Sequence, residues 1–162
     1  MDLFLIRHAK AQDGALYGDD TERPLTADGR RAALDVGESL ARHAIKLDAI
    51  WSSPLVRAVE TAELVAVALG YASGLEITRA LAPEARSAEA IDLLEQEARE
   101  RVALVGHEPS IGNLLSKLLG KSGLAMSKGA VVRLSWQPKG PAKVIWVIKP
   151  KRLDPIASLD GL

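Results

Sequence analysis

Arg7 and His8 stand side by side directly behind the apolar run Leu3-Phe4-Leu5-Ile6. Two strongly polar side chains at the end of a buried strand are expensive unless something needs them there. A second histidine, His107, lies two residues beyond the last apolar residue of another such run, in "ALVGHEPSIG". A second arginine, Arg57, lies in "SSPLVRAVETA". Arginine matches phosphoryl oxygens bidentately and stays charged, while a neutral imidazole is a nucleophile or a proton carrier. Together these residue types suit a pocket for a phosphoryl group.

Taken singly, each residue has a plainer explanation. A lone histidine after a strand is commonly a surface or satisfied core residue, and His43 in "ARHAIK" reads as solvated on a helix. Arg57 alone pairs well with Glu60 or Glu63 along a helix. The combination is what carries weight, because two of the three histidines sit at matching strand ends, each near a helix start. A metal site built from His8, His107 and Asp13 or Glu108 is the competing chemistry. Arg7 and Arg57 crowding the same place oppose a divalent cation. Gly106 and Gly112 complete neither a dinucleotide-binding nor a P-loop pattern.

The elements that must position these residues follow from alternating patterns. Short apolar runs at 3–6, 47–51, 75–77, 102–105, 131–136 and 144–148 predict strands, and helices are expected at 27–44, 54–69, 88–98 and 109–119. This alternation predicts an α/β layered sandwich. "QPKGPAK" is too short for a crossover helix, so the last two strands form an antiparallel hairpin at one end of the sheet. Thr26 caps the first helix, and Ser53-Pro54 reads as a cap followed by proline at the first helical position, with Arg57 in the first turn. In open α/β sheets ligands bind beyond the carboxyl ends of the strands, where Arg7-His8, the Arg57 helix and His107 converge. Exposed N–H groups at the helix starts there favour anions.

The 162 residues fit one catalytic domain over 1–150, with 151–162 as a surface tail. Twenty-one basic residues balance 21 acidic ones, which argues against a nucleic-acid partner. The absence of cysteine removes disulfides, thiolate nucleophiles and cysteine-type zinc sites, and fits a cytoplasmic protein. The N-terminal apolar run is too short for a signal peptide or a membrane span, so a soluble protein without a membrane partner is expected.

Arg7-His8-Ala9, "RPLTADGRRAA", "SSPLVRAVETA" and "VGHEPSIG" resemble, in the same order, four motifs of the histidine phosphatase superfamily, the phosphoglycerate-mutase-like group. The likeness runs from Met1 to about Trp136. The short length, the "RPLT" segment and the absence of a large insertion look most like its bacterial phosphohistidine phosphatase branch. The resemblance implies a three-layer α/β/α sandwich with a mostly parallel six-stranded sheet, one strand antiparallel. It also implies that His8 is the nucleophile, that Arg7, Arg57 and His107 hold the phosphoryl oxygens, and that no metal or other cofactor is used. Ala9 stands where glycine is commonest, a change tolerated if φ there is negative. Many members carry an acid shortly after the third strand. Glu84 in "LAPEARSAEA" is the nearest candidate, with Glu89 behind it, and a solvated loop glutamate is the alternative. Arg23 is a candidate for the pocket mouth.

The expected activity is removal of a phosphoryl group from phosphohistidine, through a covalent phosphohistidine intermediate. Its expected partner is a phosphorylated histidine-containing phosphotransfer protein in bacterial signalling. The alternatives are a small-molecule phosphomonoesterase acting on a small phosphate ester and a non-catalytic phosphate-binding module.

Overall fold

The computed structural model describes residues 1–150, 152–160 and 162. Its strands are β1 (Asp2–Arg7), β2 (Ala49–Ser52), β3 (Glu76–Ile77), β4 (Arg101–Gly106), β5 (Val131–Ser135), β6 (Lys143–Lys149) and β7 (Arg152–Ile156). Its α-helices are α1 (Ala27–Arg42), α2 (Val56–Leu69), α3 (Ser87–Glu95) and α4 (Ser110–Leu118). The strands form one sheet in the order β3-β2-β4-β1-β5-β6-β7. The first four are mutually parallel, and β5, β6 and β7 follow in antiparallel pairings.

Strand β1 shows why the sheet is covered on both faces. Its side chains alternate across the pleat, and Leu3, Phe4, Leu5 and Ile6 are all at most 1% exposed. Leu3 and Leu5 pack in a cluster with Ala90 and Leu94 of α3 and Ile111, Leu114 and Leu115 of α4. Phe4 and Ile6 pack in a second cluster with Val36 and Leu40 of α1 and Ala58, Ala62 and Val65 of α2. A continuous apolar run is what a doubly covered strand requires. Each such side chain contributes roughly 1.5–3 kcal/mol of burial. The three-layer α/β/α architecture is therefore as expected, and so is the β5–β6 hairpin.

The number of strands is not. The sheet has seven strands rather than six, and two rather than one run against the parallel set, because β7 lies inside the stretch expected as a surface tail. Residues 151 and 161 of that stretch lie outside the described residues. Val147 pairs with Ile156 and Lys149 with Arg152, and Ser39 of α1 donates a 2.5 Å hydrogen bond to the Leu153 carbonyl. "RLDPI" carries charge and a proline and reads as coil, but a strand at the sheet's edge tolerates both.

Chain connections create the functional edge. After β1 and β2 the chain leaves toward the α1/α2 face, whereas after β4, which lies between them, it leaves toward the α3/α4 face. Such divergence opens a crevice at the carboxyl ends of the strands. The register fixes what lines it, since Val105 of β4 pairs with Ile6 of β1 on one side and with Ser52 of β2 on the other. His8 and Ser53 then continue the ladder, their N–H groups donating to the carbonyls of Gly106 and Val105.

Helix α1 is held against this edge by a close approach. Thr26 accepts from the Gly29 N–H at 3.0 Å and caps the helix as expected. A Cβ on Gly29 would lie 2.0 Å from the Lys10 carbonyl oxygen, two residues beyond His8. Gly29→Ala should therefore cost about 1–3 kcal/mol through overpacking against backbone. Its melting temperature should fall by roughly 2–4 °C per kcal/mol, and an unchanged melting curve would show that the Lys10 segment yields freely.

Candidate active site

His8 is 7% exposed, and its Nδ1 lies 2.7 Å from the carbonyl oxygen of Ala9. A carbonyl only accepts, so Nδ1 carries the proton and Nε2 carries the lone pair. The Ala9 peptide is itself held, because its N–H donates to Thr61 Oγ1 at 3.2 Å and that hydroxyl donates to the Arg57 carbonyl at 2.7 Å. Ala9 keeps a negative φ, since the only non-glycine residues with positive φ among those described are Ala44 and Lys139. Its methyl group therefore causes no backbone strain. Burial, and then the charges of Arg57, Arg7 and Lys128, lower the His8 pKa to about 4, against a smaller opposing effect of the Ala9 bond.

His107 is 2% exposed and its ring centre lies 4.8 Å from that of His8. Its Nε2 lies 2.8 Å from Ser53 Oγ. Burial lowers its pKa to about 3, helped by His8, Arg57 and Arg7 and opposed by Asp20. Both imidazoles are thus neutral at pH 7. Desolvation is the largest effect on both rings, and the arginine charges add to it.

Ser53 does not cap α2 as expected. The helix starts at Val56, with Leu55 at the cap position and no side-chain cap bond. The Ser53 hydroxyl instead accepts from the Leu55 N–H and bonds His107. The helix predicted from Pro109 likewise begins one residue later, at Ser110.

The two arginines are anchored by one end each. Arg57 is 4% exposed and donates from its terminal nitrogens to the Asp20 carbonyl at 2.7 Å and to Asp20 Oδ2 at 2.9 Å. Arg7 donates to the Met126 carbonyl at 2.6 Å, and the Met126 N–H donates to Glu108 Oε1 at 2.8 Å. Burial lowers the Arg7 pKa, with the Glu108 charge pulling the other way, and the guanidinium stays a cation. Five buried side-chain nitrogens have no hydrogen-bond partner among the described residues, and three of them are Arg7 Nε, Arg57 Nε and His107 Nδ1. An unpaired buried polar group costs about 1–3 kcal/mol, and the two guanidinium N–H donors beside a buried, unpartnered imidazole nitrogen fit an anion.

The remaining candidates separate. Arg23 donates to the Gln12 carbonyl at 2.9 Å and binds Asp20 Oδ1 through Nε at 2.8 Å, so it is linked to Arg57 through one carboxylate. Glu84 is exposed on the wall of a cleft of about 480 Å³ that Asp20, Pro54, Leu55 and Arg79 also line. Glu89 pairs with Arg86 at 3.0 Å in the first turn of α3. Among the described residues no group of three or more histidines and carboxylates is arranged to hold a metal ion. No described helix is long and apolar enough to cross a membrane. Sequence reasoning missed Asp20, Thr61 and Lys128. Thr61 lies within "SSPLVRAVETA", one helical turn after Arg57, and only that spacing could have marked it, while no pattern marks Asp20 and Lys128.

The chain resembles known proteins over most of its length. The family model of the histidine phosphatase superfamily (branch 1) matches residues 3–82. A phosphohistidine phosphatase SixA homolog of Haemophilus influenzae is 31% identical over 147 residues, covering 84% of this chain and 88% of that protein. Phosphohistidine phosphatase SixA of Escherichia coli is 25% identical over 157 residues, covering 94% of this chain and 96% of that one. The solved structure of the protein histidine phosphatase SixA complexed with tungstate shares the fold, with a TM-score of 0.87 at 24% identity, covering 95% of this chain and 100% of that one. The chain, with its paired buried histidines and arginines at one sheet edge, belongs to the histidine phosphatase superfamily and is a phosphatase of its SixA-like branch.

Proposed function

We propose that this phosphatase hydrolyses phosphohistidine on a partner protein, passing the phosphoryl group through Nε2 of His8. The observation that carries this reading is the Nδ1–H bond from His8 to the Ala9 carbonyl, which leaves Nε2 unprotonated in a cluster that holds the two unpaired guanidinium donors of Arg7 and Arg57. Nε2 attacks phosphorus in line as the bond to the leaving nitrogen breaks. Water then hydrolyses the phosphohistidine enzyme and frees His8. Arg7, Arg57 and His107 donate to the equatorial oxygens, where charge must be stabilised. His107 starts neutral, and a bound dianion raises its proton affinity, making it a stronger donor when the ligand is present. Arg23 lies at the mouth, one carboxylate from Arg57, and supplies further positive charge.

The substrate follows from the leaving group. A phosphorylated imidazole departs easily once protonated and needs little help, whereas an alkoxide needs a proton donor. Glu84 is the candidate donor, because it faces the cleft beside Asp20 while Glu89 is engaged with Arg86. A cleft open to solvent suits a side chain protruding from a protein, such as the phosphohistidine of a phosphotransfer domain. The same geometry accommodates a small phosphate ester, and Glu84 discriminates between the two.

Glu84→Gln should reduce hydrolysis of alkyl phosphates by ~10²–10⁴-fold, the usual worth of general-acid assistance. Hydrolysis of a phosphohistidine protein should change little. Loss on both substrates, measured side by side, would contradict the leaving-group argument, and loss on neither would remove Glu84 from the mechanism.

The pH dependence has a definite sign. Lowering a histidine pKa extends the range over which the base is free, so His8 with a pKa of about 4 is a competent nucleophile down to that pH. The acidic limb of kcat/KM should therefore lie near pH 4, falling tenfold per unit below it, with a plateau through pH 7. A limb near 6.5, the ordinary imidazole value, would mean that the site does not desolvate His8.

A further inference from the structure

Asp20 stands outside every motif, yet it touches both arginines of the site mouth. Its carbonyl and Oδ2 accept from the two terminal nitrogens of Arg57, and its Oδ1 accepts from Arg23 Nε at 2.8 Å and lies 2.7 Å from the remaining Arg23 terminal nitrogen. Partial desolvation pushes its carboxyl up, but the bonds and charges of Arg57 and Arg23 outweigh that and hold it below the ordinary carboxylate range. A carboxylate so held is a poor proton donor, which separates Asp20 from the role assigned to Glu84.

The contacts divide the Arg57 guanidinium into two edges. The end carrying both terminal nitrogens is held by Asp20, while Nε–H is buried and unpartnered. A planar guanidinium fixed at one edge has its other edge fixed as well. From this geometry we infer that Asp20 is a positioning residue, which orients Arg57 so that its Nε edge meets the transferring phosphoryl group. Asp20 needs no contact with substrate to do so. Its side chain is 61% exposed, so the carboxylate adds little to the core, and its side-chain bonds go to the arginines, with only a through-space effect on His107. The inference rests on the phosphoryl site proposed above.

The neighbouring Asp19 provides the control. Its carboxylate accepts from the Thr21 N–H at 2.8 Å and caps the short 3-10 turn Asp20–Glu22 without touching either arginine. Asp19→Ala loosens the same loop and leaves the Asp20 carboxylate in place.

The test measures kcat and KM for p-nitrophenyl phosphate, competitive inhibition by inorganic phosphate, and melting temperature, in the wild type and in Asp20→Ala, Asp20→Asn and Asp19→Ala. Misplacing a catalytic group by about 1 Å can cost ~10²-fold, so kcat of Asp20→Ala should fall by at least about tenfold, with a much smaller change in KM. Phosphate inhibition should weaken. Asp20→Asn keeps one acceptor oxygen and should fall between, while Asp19→Ala should stay near wild type. Tighter phosphate binding with kcat preserved would overturn the inference, since Asp20 would then compete with the ligand for Arg57. Unchanged kinetics in Asp20→Ala, or an equal loss in Asp19→Ala, would overturn it too. A wild type that neither turns over the ester nor binds phosphate would instead overturn the phosphoryl site itself, and the inference with it.

Discussion

Burying a guanidinium with a donor left unpaired is the constraint on which this structure turns. An unsatisfied buried polar group costs about 1–3 kcal/mol, and more when it is charged. Arg7 and Arg57 each carry one at one edge of the sheet, where Nδ1 of His107 is also without a partner among the described residues. In the mechanism proposed above, these groups form a ready-made binding surface for an oxyanion. Such preorganisation is how an active site stabilises charge without rearranging during the reaction.

The rest of the fold serves to hold these groups still. Strands β1, β2 and β4 place His8, His107 and Ser53 just past one aligned row of residues. A relay from the Arg57 carbonyl through the Thr61 hydroxyl and the Ala9 peptide ends at His8 Nδ1. That relay ties the tautomer of His8 to the position of α2, so the arginine helix and the histidine strand are set together. The same burial that makes the donors expensive keeps both imidazoles neutral. In the proposed mechanism, desolvation thus prepares the cation cluster and the nucleophile at once.

Much of this was legible in the sequence because it is periodic or clustered. The apolar run before Arg7-His8 marks a doubly covered strand, and the matching run before His107 marks its neighbour. Their shared position at strand ends follows from the layered architecture. Strand β7 was not legible, since an edge strand needs neither an apolar run nor freedom from proline. The Ser53 hydroxyl was misread as a helix cap because cap and ligand contacts use the same residue type in the same place. Asp20 was invisible for another reason. Two consecutive aspartates in a polar loop look solvated, and only the folded chain shows that one of them holds Arg57 and Arg23.

The central claim is that Nε2 of His8 becomes phosphorylated during turnover. The direct measurement is rapid acid-free quenching of the enzyme with a phosphorus-labelled substrate, followed by peptide mapping and phosphorus NMR of the denatured protein in alkali. The account predicts an alkali-stable, acid-labile label on the peptide containing His8, with the chemical shift of Nε2-phosphohistidine. Label on the His107 peptide, or turnover in a single displacement with no enzyme-bound phosphorus at any quench time, would contradict it.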